Sequence, residues 1–247
     1  MTALLKAELV KLRTTRTFAA LAGAAIGLSL LLTVLAATLG EPTEESVLTD
    51  VFAGDLSSLF ILLLALIGIT GEWRHRTITS SLLAAPDRLR FLGAKVLAFA
   101  CAGLVLSIVI AIAIAIVAYI LLAAQDLPTP ALGDVLEQAA RGALVAALLG
   151  GLGVALGGLV RNQVVAVVGV LVILFVVEPA VIALAPEVGR FGPLIALPTA
   201  AAGMSPDDSG LGDVDLLASG AALLCMLAWI GALFALGAAL LRSRDLS

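Results

Sequence analysis

Six long apolar runs, separated by polar segments, dominate the pattern of hydrophobic and polar positions along this chain. Each run is about as long as the roughly 20 helical residues needed to cross the 30 Å core of a bilayer. We therefore predict an all-α membrane protein with six transmembrane helices, forming a single domain over residues 1–247. The predicted spans are residues 18–39, 51–70, 96–123, 139–160, 164–185 and 216–241.

Basic residues lie almost entirely on one side of these predicted spans. With the N-terminus inside, the inner segments hold 12 of the 14 lysines and arginines, and only Arg141 and Arg190 lie outside. This bias orients multi-pass proteins, so we expect a plasma (inner) membrane protein with both termini in the cytoplasm. The inner set is Lys6, Lys11, Arg13, Arg16, Arg74, Arg76, Arg88, Arg90, Lys95, Arg161, Arg242 and Arg244.

Composition supports the membrane assignment. Hydrophobic residues make up 62% of the chain and charged residues 13%, and the mean hydropathy is +1.18, more apolar surface than a soluble domain can bury. Because the basic residues flank the spans and form no separate basic domain, we expect membrane lipid as a partner and no nucleic acid. Cys101 and Cys225 lie in apolar runs, which favours packing roles over a disulfide or a metal pair.

The N-terminal residues 2–16 carry leucines at helical spacing among basic side chains. Leu5, Leu9 and Leu12 lie at i, i+4 and i+7, which predicts a helix on the inner membrane surface. The alternative is a frayed basic tail that only follows the orientation rule. The apolar run that follows is longer than the h-region of a signal peptide, so we expect it to remain as the first span.

Small residues mark the first and fourth predicted spans. Gly23 and Gly27 are four residues apart, and so are Gly153 and Gly157. Glycines on one helix face let two backbones approach closely in lipid. Tight packing within one subunit is the favoured interpretation, and a contact between two subunits is the alternative.

The sequence lacks signatures of catalysis and of nucleotide binding. His75 is its single histidine, and no glycine directly precedes Lys6, Lys11 or Lys95, which excludes the phosphate-binding loop GxxxxGK[ST]. We expect no enzyme activity, no catalytic or metal-ligating residue, and no cofactor bound by this chain. Pumped transport would need energy from another polypeptide or from an ion gradient.

One acidic residue, Glu178, stands within a long apolar run. A rise of about 1.5 Å per residue places it roughly 20 Å from the inner end of that run. An acid at this depth is a candidate for a translocation path or vestibule, and it could also couple a secondary transporter to an ion. The alternative is that Pro179 breaks the helix and leaves Glu178 in a wet outer vestibule.

Prolines interrupt the chain over residues 186–215, before the last span. The apolar piece within this segment is too short to cross a bilayer. We predict that residues 187–204 form re-entrant or outer half-helices packed on the bundle, because broken backbone at membrane depth must be covered by protein or line a cavity. An ordinary extracellular loop is the alternative.

The longest polar inner segment, residues 71–95, joins the second and third spans. We predict a short helix over residues 77–85, followed by a new element that begins near Pro86 and Asp87. Arg90 and Lys95, together with Arg88, would then anchor the next helix at the inner head groups. A partner pushing on the short helix would move two spans together; the alternative is an amphipathic stretch resting on lipid.

Within this inner segment a Glu and a basic residue are followed by Thr-Ile, Leu-Leu, Pro, Arg and Lys. These residues are Glu72, Arg74, Thr77, Ile78, Leu82, Leu83, Pro86, Arg88 and Lys95. The pattern resembles that of the ABC-2 type permease family, the membrane subunits of one class of bacterial ATP-binding-cassette exporters. The layout of an N-terminal basic helix, six spans and a broken outer segment is similar as well. Arg76 stands where many relatives carry glycine.

The resemblance implies that residues 77–85 are a coupling helix that docks into a separate ABC ATPase subunit, which uses the ATP. It makes the matched residues from Glu72 to Arg88 candidates for ATPase coupling. It also implies a second permease copy or a paralogue, with two ATPases per working unit. A membrane anchor or assembly subunit without transport is the competing interpretation, and the apolar spans weakly favour amphiphilic cargo.

Overall fold

The structure is a computed structural model that describes residues 2–40, 42–52, 54–74, 87–160, 162–204, 210–211 and 214–243. Throughout these ranges the chain is all-α and contains no strand. Among the described residues six helices are long and apolar enough to cross a membrane, which confirms the predicted all-α fold with six candidate spans. The candidate spans are Arg16–Leu39, Ser57–Arg74, Leu89–Ala124, Leu132–Gly157, Gln163–Leu184 and Ser219–Leu240.

The helices are numbered here in chain order. The first five are α1 (Thr2–Thr14), α2 (Arg16–Leu39), α3 (Val47–Val51), α4 (Ser57–Arg74) and α5 (Arg88–Ala124). The next are α6 (Leu132–Gly157), α7 (Gln163–Leu184), α8 (Pro186–Gly189), α9 (Ala196–Ala201) and α10 (Ser219–Ser243). We call the end where α1, the end of α4 and the start of α5 meet the basic end.

The third spanning helix begins eight residues before the predicted start at 96. Asp87 caps it, because its Oδ1 accepts hydrogen bonds from the N–H groups of Leu89 at 3.0 Å and Arg90 at 3.2 Å. The apolar run marks only the part of a helix that suits lipid, whereas a cap fixes where the helix starts. α5 therefore extends beyond the apolar run at the basic end.

The fifth spanning helix, α7, passes through Pro179 without ending there. A π turn, Ile173–Val177, precedes Glu178, whose N–H bonds to the carbonyl of Ile173. Proline has no N–H and its ring crowds the carbonyl four residues earlier, and a π turn relieves this crowding by widening the helix. α7 therefore continues to Leu184.

Helix α6 packs closely against both α4 and α5. A Cβ added at Gly150 would lie 2.5 Å from the carbonyl oxygen of Phe99, and one at Gly153 would lie 2.7 Å from that of Leu62. A Cβ at Gly157 would collide with Ile69. Packing within one subunit was predicted for both glycine pairs; it is confirmed for Gly153 and Gly157 and not for Gly23 and Gly27. In contrast, a Cβ at Gly23 or Gly27 would meet no atom within 4 Å.

The segment between α2 and α4 folds back into the bundle. The short helix α3 and Phe52 are buried in one cluster with side chains of α2 and α5, among them Ala37 and Ile110. The chain then reaches the start of α4, which lies at Ser57 and not at 51 as predicted. The predicted span began too early because Val51 and Phe52 are apolar and buried, although they lie outside α4.

Between α7 and α10 the described residues include two short helices, α8 and α9. Leu194 and Leu197 join a buried cluster with Leu66, Leu152 and Met226 of three spanning helices. The structure gives short helices packed on the bundle in this region; that residues 187–204 are re-entrant or outer half-helices stays a prediction. Residues 205–209 and 212–213 lie outside the described ranges.

Candidate functional site

Four charged side chains form a closed network at the basic end. Lys95 Nζ lies 2.7 Å from Glu8 Oε2 and 2.8 Å from Glu72 Oε1. Lys11 Nζ lies 2.8 Å from Glu8 Oε1 and 3.4 Å from Glu72 Oε1. Two ammonium groups balance two carboxylates, so this group, called the charge network below, carries no net charge.

Most of the charge network is shielded from solvent. Lys95 is 2% exposed, Glu8 6% and Glu72 8%, whereas the side chain of Lys11 is half exposed. Burial opposes ionisation of Glu8, but Lys95 and Lys11 outweigh burial and lower the pKa of Glu8 from its ordinary 4.5. Burial also opposes the charge of Lys11, but Glu8 and Glu72 outweigh it and raise the pKa of Lys11 from 10.5. Mutual pairing therefore keeps both groups charged at neutral pH.

The charge network ties three parts of the chain together. Glu72 lies in the last turn of α4 and Lys95 lies near the start of α5, so the two flank the predicted coupling segment, and Glu8 joins them to α1. The prediction that Lys95 reaches the lipid head groups is wrong, because its ammonium is buried between two carboxylates. A lysine beside a span more often snorkels outward, and here two acids hold it inside.

Sequence reasoning missed Glu8, although a signal was present. Glu8 shares the helix face of Leu5, Leu9 and Leu12, at the spacing that places side chains one above another. An acid on an apolar face requires a buried partner. The identity of that partner, Lys95, 87 residues away, could not be read from α1 alone.

The predicted coupling residues are only partly within the described chain. Glu72 belongs to the charge network, and Arg74 is exposed, with Nη1 3.5 Å from Oε1 of Gln163. Arg88 is the first residue of α5, and its side chain is not described. The remaining candidates lie outside the described residues, so the coupling helix stays a prediction: Thr77, Ile78, Leu82, Leu83 and Pro86.

Glu178 is 5% exposed and is held by backbone groups. Its carboxylate accepts hydrogen bonds from the N–H groups of Ile195 at 2.7 Å, Leu194 at 3.1 Å and Ala196 at 3.2 Å. These contacts fasten α7 to the start of α9. Such backbone partners cannot be read from residue types. A role of Glu178 in a translocation path stays a prediction.

A second acid, Asp55, is partly buried just before the start of α4, and sequence analysis did not single it out. Its Oδ1 accepts a hydrogen bond from the Ser57 N–H at 2.7 Å. Its Oδ2 accepts from the hydroxyls of Ser57 at 2.9 Å and Ser107 at 2.7 Å. The preceding N–H, that of Leu56, donates to Ser29 Oγ at 3.0 Å. Side-chain oxygens thus accept hydrogen bonds from the two backbone N–H groups at the start of α4.

The depth of Asp55 follows from its serine partners. Ser107 comes 12 residues after Lys95 in α5, and Ser57 comes 15 residues before Glu72 in α4. At 1.5 Å per residue these separations are about 18 and 22 Å from the charge network. Because a bilayer core is about 30 Å thick, Asp55 lies at membrane depth. Non-helical backbone is tolerated there only where protein covers it or where it lines a cavity.

A cavity of about 350 Å³ opens beside Asp55. It is bounded by α4, α5, α6, α7 and the segment around α9, and the residues that line it include Phe52, Leu59, Ile114 and Gln138. Oε1 of Gln138 is buried and has no hydrogen-bond partner within the described chain. The volume of the cavity is within the usual range for sites that bind small organic ligands.

No protein-family model matches this sequence, and no curated protein matches it. The resemblance to ABC-2 type permeases therefore rests on the inner-segment pattern and the layout of the spans. Function has to be argued from the two groups of polar side chains described above, the charge network and the cavity beside Asp55.

Proposed function

We propose that this chain is the permease subunit of an ATP-binding-cassette exporter. Two copies, or one copy and a paralogue, form the translocation pathway, and separate ATPase subunits drive it. The basic end faces the cytoplasm, as the bias of lysine and arginine predicts. The coupling helix over residues 77–85 docks into the ATPase.

The charge network is the observation that carries this proposal. Glu72 and Lys95 are both part of the pattern that resembles the permease family, and they are 2.8 Å apart at the two ends of the same connector. Their contact holds the end of α4 against the start of α5, on either side of the inner segment that joins the two helices. Force applied between these two residues is therefore transmitted to α4 and α5 together.

Helix α1 joins the same unit through Glu8. Its carboxylate contacts Lys95 at 2.7 Å, so α1 moves with the paired ends of α4 and α5. Helix α6 follows α4 and α5 because glycines place its backbone against both. A push by an ATPase would thus rock several helices as a body, as alternating access requires.

Retention of an ATPase tests the proposal. The chain is extracted from its native membrane in a mild detergent, and co-purifying proteins are assayed for ATP hydrolysis. We expect a subunit with a phosphate-binding loop to be retained. Replacing Leu82 and Leu83 by glutamine should release it, because a docked helix depends on its apolar anchors.

Leu39→Gln is the matched control, because Leu39 is 78% exposed at the opposite end of α2. It should keep the ATPase, and both variants must elute as monodisperse species. The proposal is overturned if the wild-type chain retains no ATP-hydrolysing subunit. It is also overturned if the double variant keeps both the ATPase and export. If the chain retains an ATPase but its deletion from the cell leaves export unchanged, the anchor interpretation is favoured.

A further inference from the structure

We propose that the cavity beside Asp55 binds a monocationic amphiphile, an organic molecule with one ammonium or phosphonium centre and an apolar body. The proposal builds on the exporter function, because it names the substrate class of the pathway. Binding itself requires no ATPase, so it can be measured on this chain alone.

The charge of Asp55 is not needed for its structural contact. Capping the start of α4 requires one acceptor oxygen, and asparagine caps a helix as well as aspartate does. Only Oδ1 of Asp55 accepts the Ser57 N–H. The second oxygen, Oδ2, adds a formal charge at a depth where charges are costly and mark functional positions.

Within the described chain no cation balances this carboxylate; Arg141, which reaches Gly203 near the cavity wall, is paired with Glu137. Among the described residues no lysine or arginine forms an ion pair with Asp55, and none lines the cavity. Serine hydroxyls stabilise the carboxylate but do not neutralise it. A ligand with one positive charge would complete the electrostatics, whereas an anion would be repelled.

Asp55 and Gly142 of α6 both line the cavity. A Cβ added at Gly142 would be in van der Waals contact, at 3.7 Å, with both Asp55 Oδ2 and Ser107 Oγ. A larger side chain at this position would therefore extend into the cavity beside the carboxylate. The absence of a side chain at Gly142 lets a cationic group approach the carboxylate.

The remainder of the cavity suits an apolar body. Leu59, Ile114 and Leu149 line it, and Phe52 adds an aromatic ring that can attract a cation through its π face. Gln138 brings an acceptor oxygen without a partner in the described chain. One charge, one further acceptor and an apolar wall together specify an amphiphile with a single cationic centre.

Two probes of similar shape and opposite charge test this inference. The purified full chain in detergent is equilibrated with radiolabelled tetraphenylphosphonium, and separately with tetraphenylborate, in equilibrium dialysis. We expect saturable binding of the phosphonium cation at one site per chain and no saturable binding of the borate anion. Dodecyltrimethylammonium serves as a slimmer cation.

Two variants remove different features of the site. Asp55→Asn keeps the cap and removes the charge, and it should weaken cation binding at least about tenfold, which corresponds to 1.4 kcal/mol. Gly142→Leu keeps the charge and fills the adjacent space, and it should abolish binding. The controls are Asp50→Asn, at an exposed acid, and Gly133→Leu, at an α6 glycine with no atom near its added Cβ.

The inference is overturned if correctly folded wild-type chain binds neither cation saturably. It is equally overturned if Asp55→Asn binds as tightly as the wild type, or if tetraphenylborate binds as well as the cation. Cation binding in a chain that never retains an ATPase would overturn the exporter function and leave this site standing. A chain that retains an ATPase but binds no cation would overturn the binding site and leave the exporter function standing.

Discussion

The charge network and the Asp55 site both hold carboxylates in apolar surroundings, but they balance the charge differently. In the charge network each glutamate has an ammonium within 2.8 Å, and the four charges sum to zero. At Asp55 the donors are two hydroxyls and one N–H, and all are neutral. The first group is electrically complete, whereas the second retains one negative charge.

This difference suits the charge network to a structural role and the Asp55 site to ligand binding. A buried charge without a partner is costly, so a closed network is stable only while all its members are present. The charge network therefore holds helices in place and its charges are already paired, although Oε2 of Glu72 has no hydrogen-bond partner among the described residues. The Asp55 site has both the space and the uncompensated charge that a ligand requires.

Removing Lys95 should give the largest loss of stability. Lys95→Met strands Glu8 and Glu72 with only the half-exposed Lys11, and breaking a buried pair from one side costs about 3–5 kcal/mol. The free energy of unfolding in detergent measures the effect. Lys6→Met at an exposed position should change it by less than about 0.5 kcal/mol. Equal stability of both variants would mean that the charge network does not hold the basic end together.

Acid should weaken the same network. Since the pKa of Glu8 is lowered in the folded chain, its stabilisation is complete above 4.5 and is lost as pH falls through the folded value. Since the pKa of Lys11 is raised, its stabilisation is complete below 10.5 and is lost as pH rises through the folded value. The contribution of these two groups to the Tm should therefore be steady between these limits. In Glu8→Gln the Tm should fall less steeply as the pH is lowered below 4.5. An unchanged fall of the Tm would mean that Glu8 is not responsible for it.

Asp55→Asn should affect stability much less than Lys95→Met. The amide oxygen can still cap α4, and no buried lysine loses its partner, so we expect a change of at most about 1.5 kcal/mol in the free energy of unfolding. The same unfolding assay measures it. A loss as large as that of Lys95→Met would show that the charge of Asp55 is structural, and it would remove the contrast between the two sites.

Ser107→Ala should have the smallest effect. It removes one donor to Asp55 Oδ2, while the Ser57 hydroxyl remains on that oxygen. We expect the free energy of unfolding to fall by about 1 kcal/mol. Ser107 is wholly buried, so Ser107→Cys, which retains a small side chain, separates the lost hydrogen bond from lost volume. No change in Ser107→Ala would mean that this hydroxyl does not stabilise the carboxylate.

Sequence patterns predicted the helices well because lipid leaves few alternatives. Backbone polar groups in hydrocarbon must bond within the segment, so an apolar run of sufficient length becomes a helix. The same logic gave the number of spanning helices and the close packing at Gly153 and Gly157. It did not give the start of α4, because the apolar Val51 and Phe52 extend the run although they are buried outside that helix.

The polar sites were harder to predict, because their partners are far apart in the chain. Glu8 and Lys95 are 87 residues apart, and Asp55 and Ser107 are 52 apart. Asp55 lies inside the predicted span 51–70, so an acid within an apolar run was a local signal, but its serine partners could not be read from the sequence. Glu178 was visible because it interrupts an apolar run, yet its backbone partners at Leu194 and Ile195 were not.

By itself, the sequence determined that this protein is a helical bundle with six membrane-spanning candidates, because hydrophobic length and backbone hydrogen bonding are local properties. Only the tertiary structure decided which charges neutralise one another. Folding brought Lys95 between two carboxylates and carried Asp55 into the bundle beside a cavity without a basic partner among the described residues. Charge balance depends on distances in space, and these are set by how the helices pack.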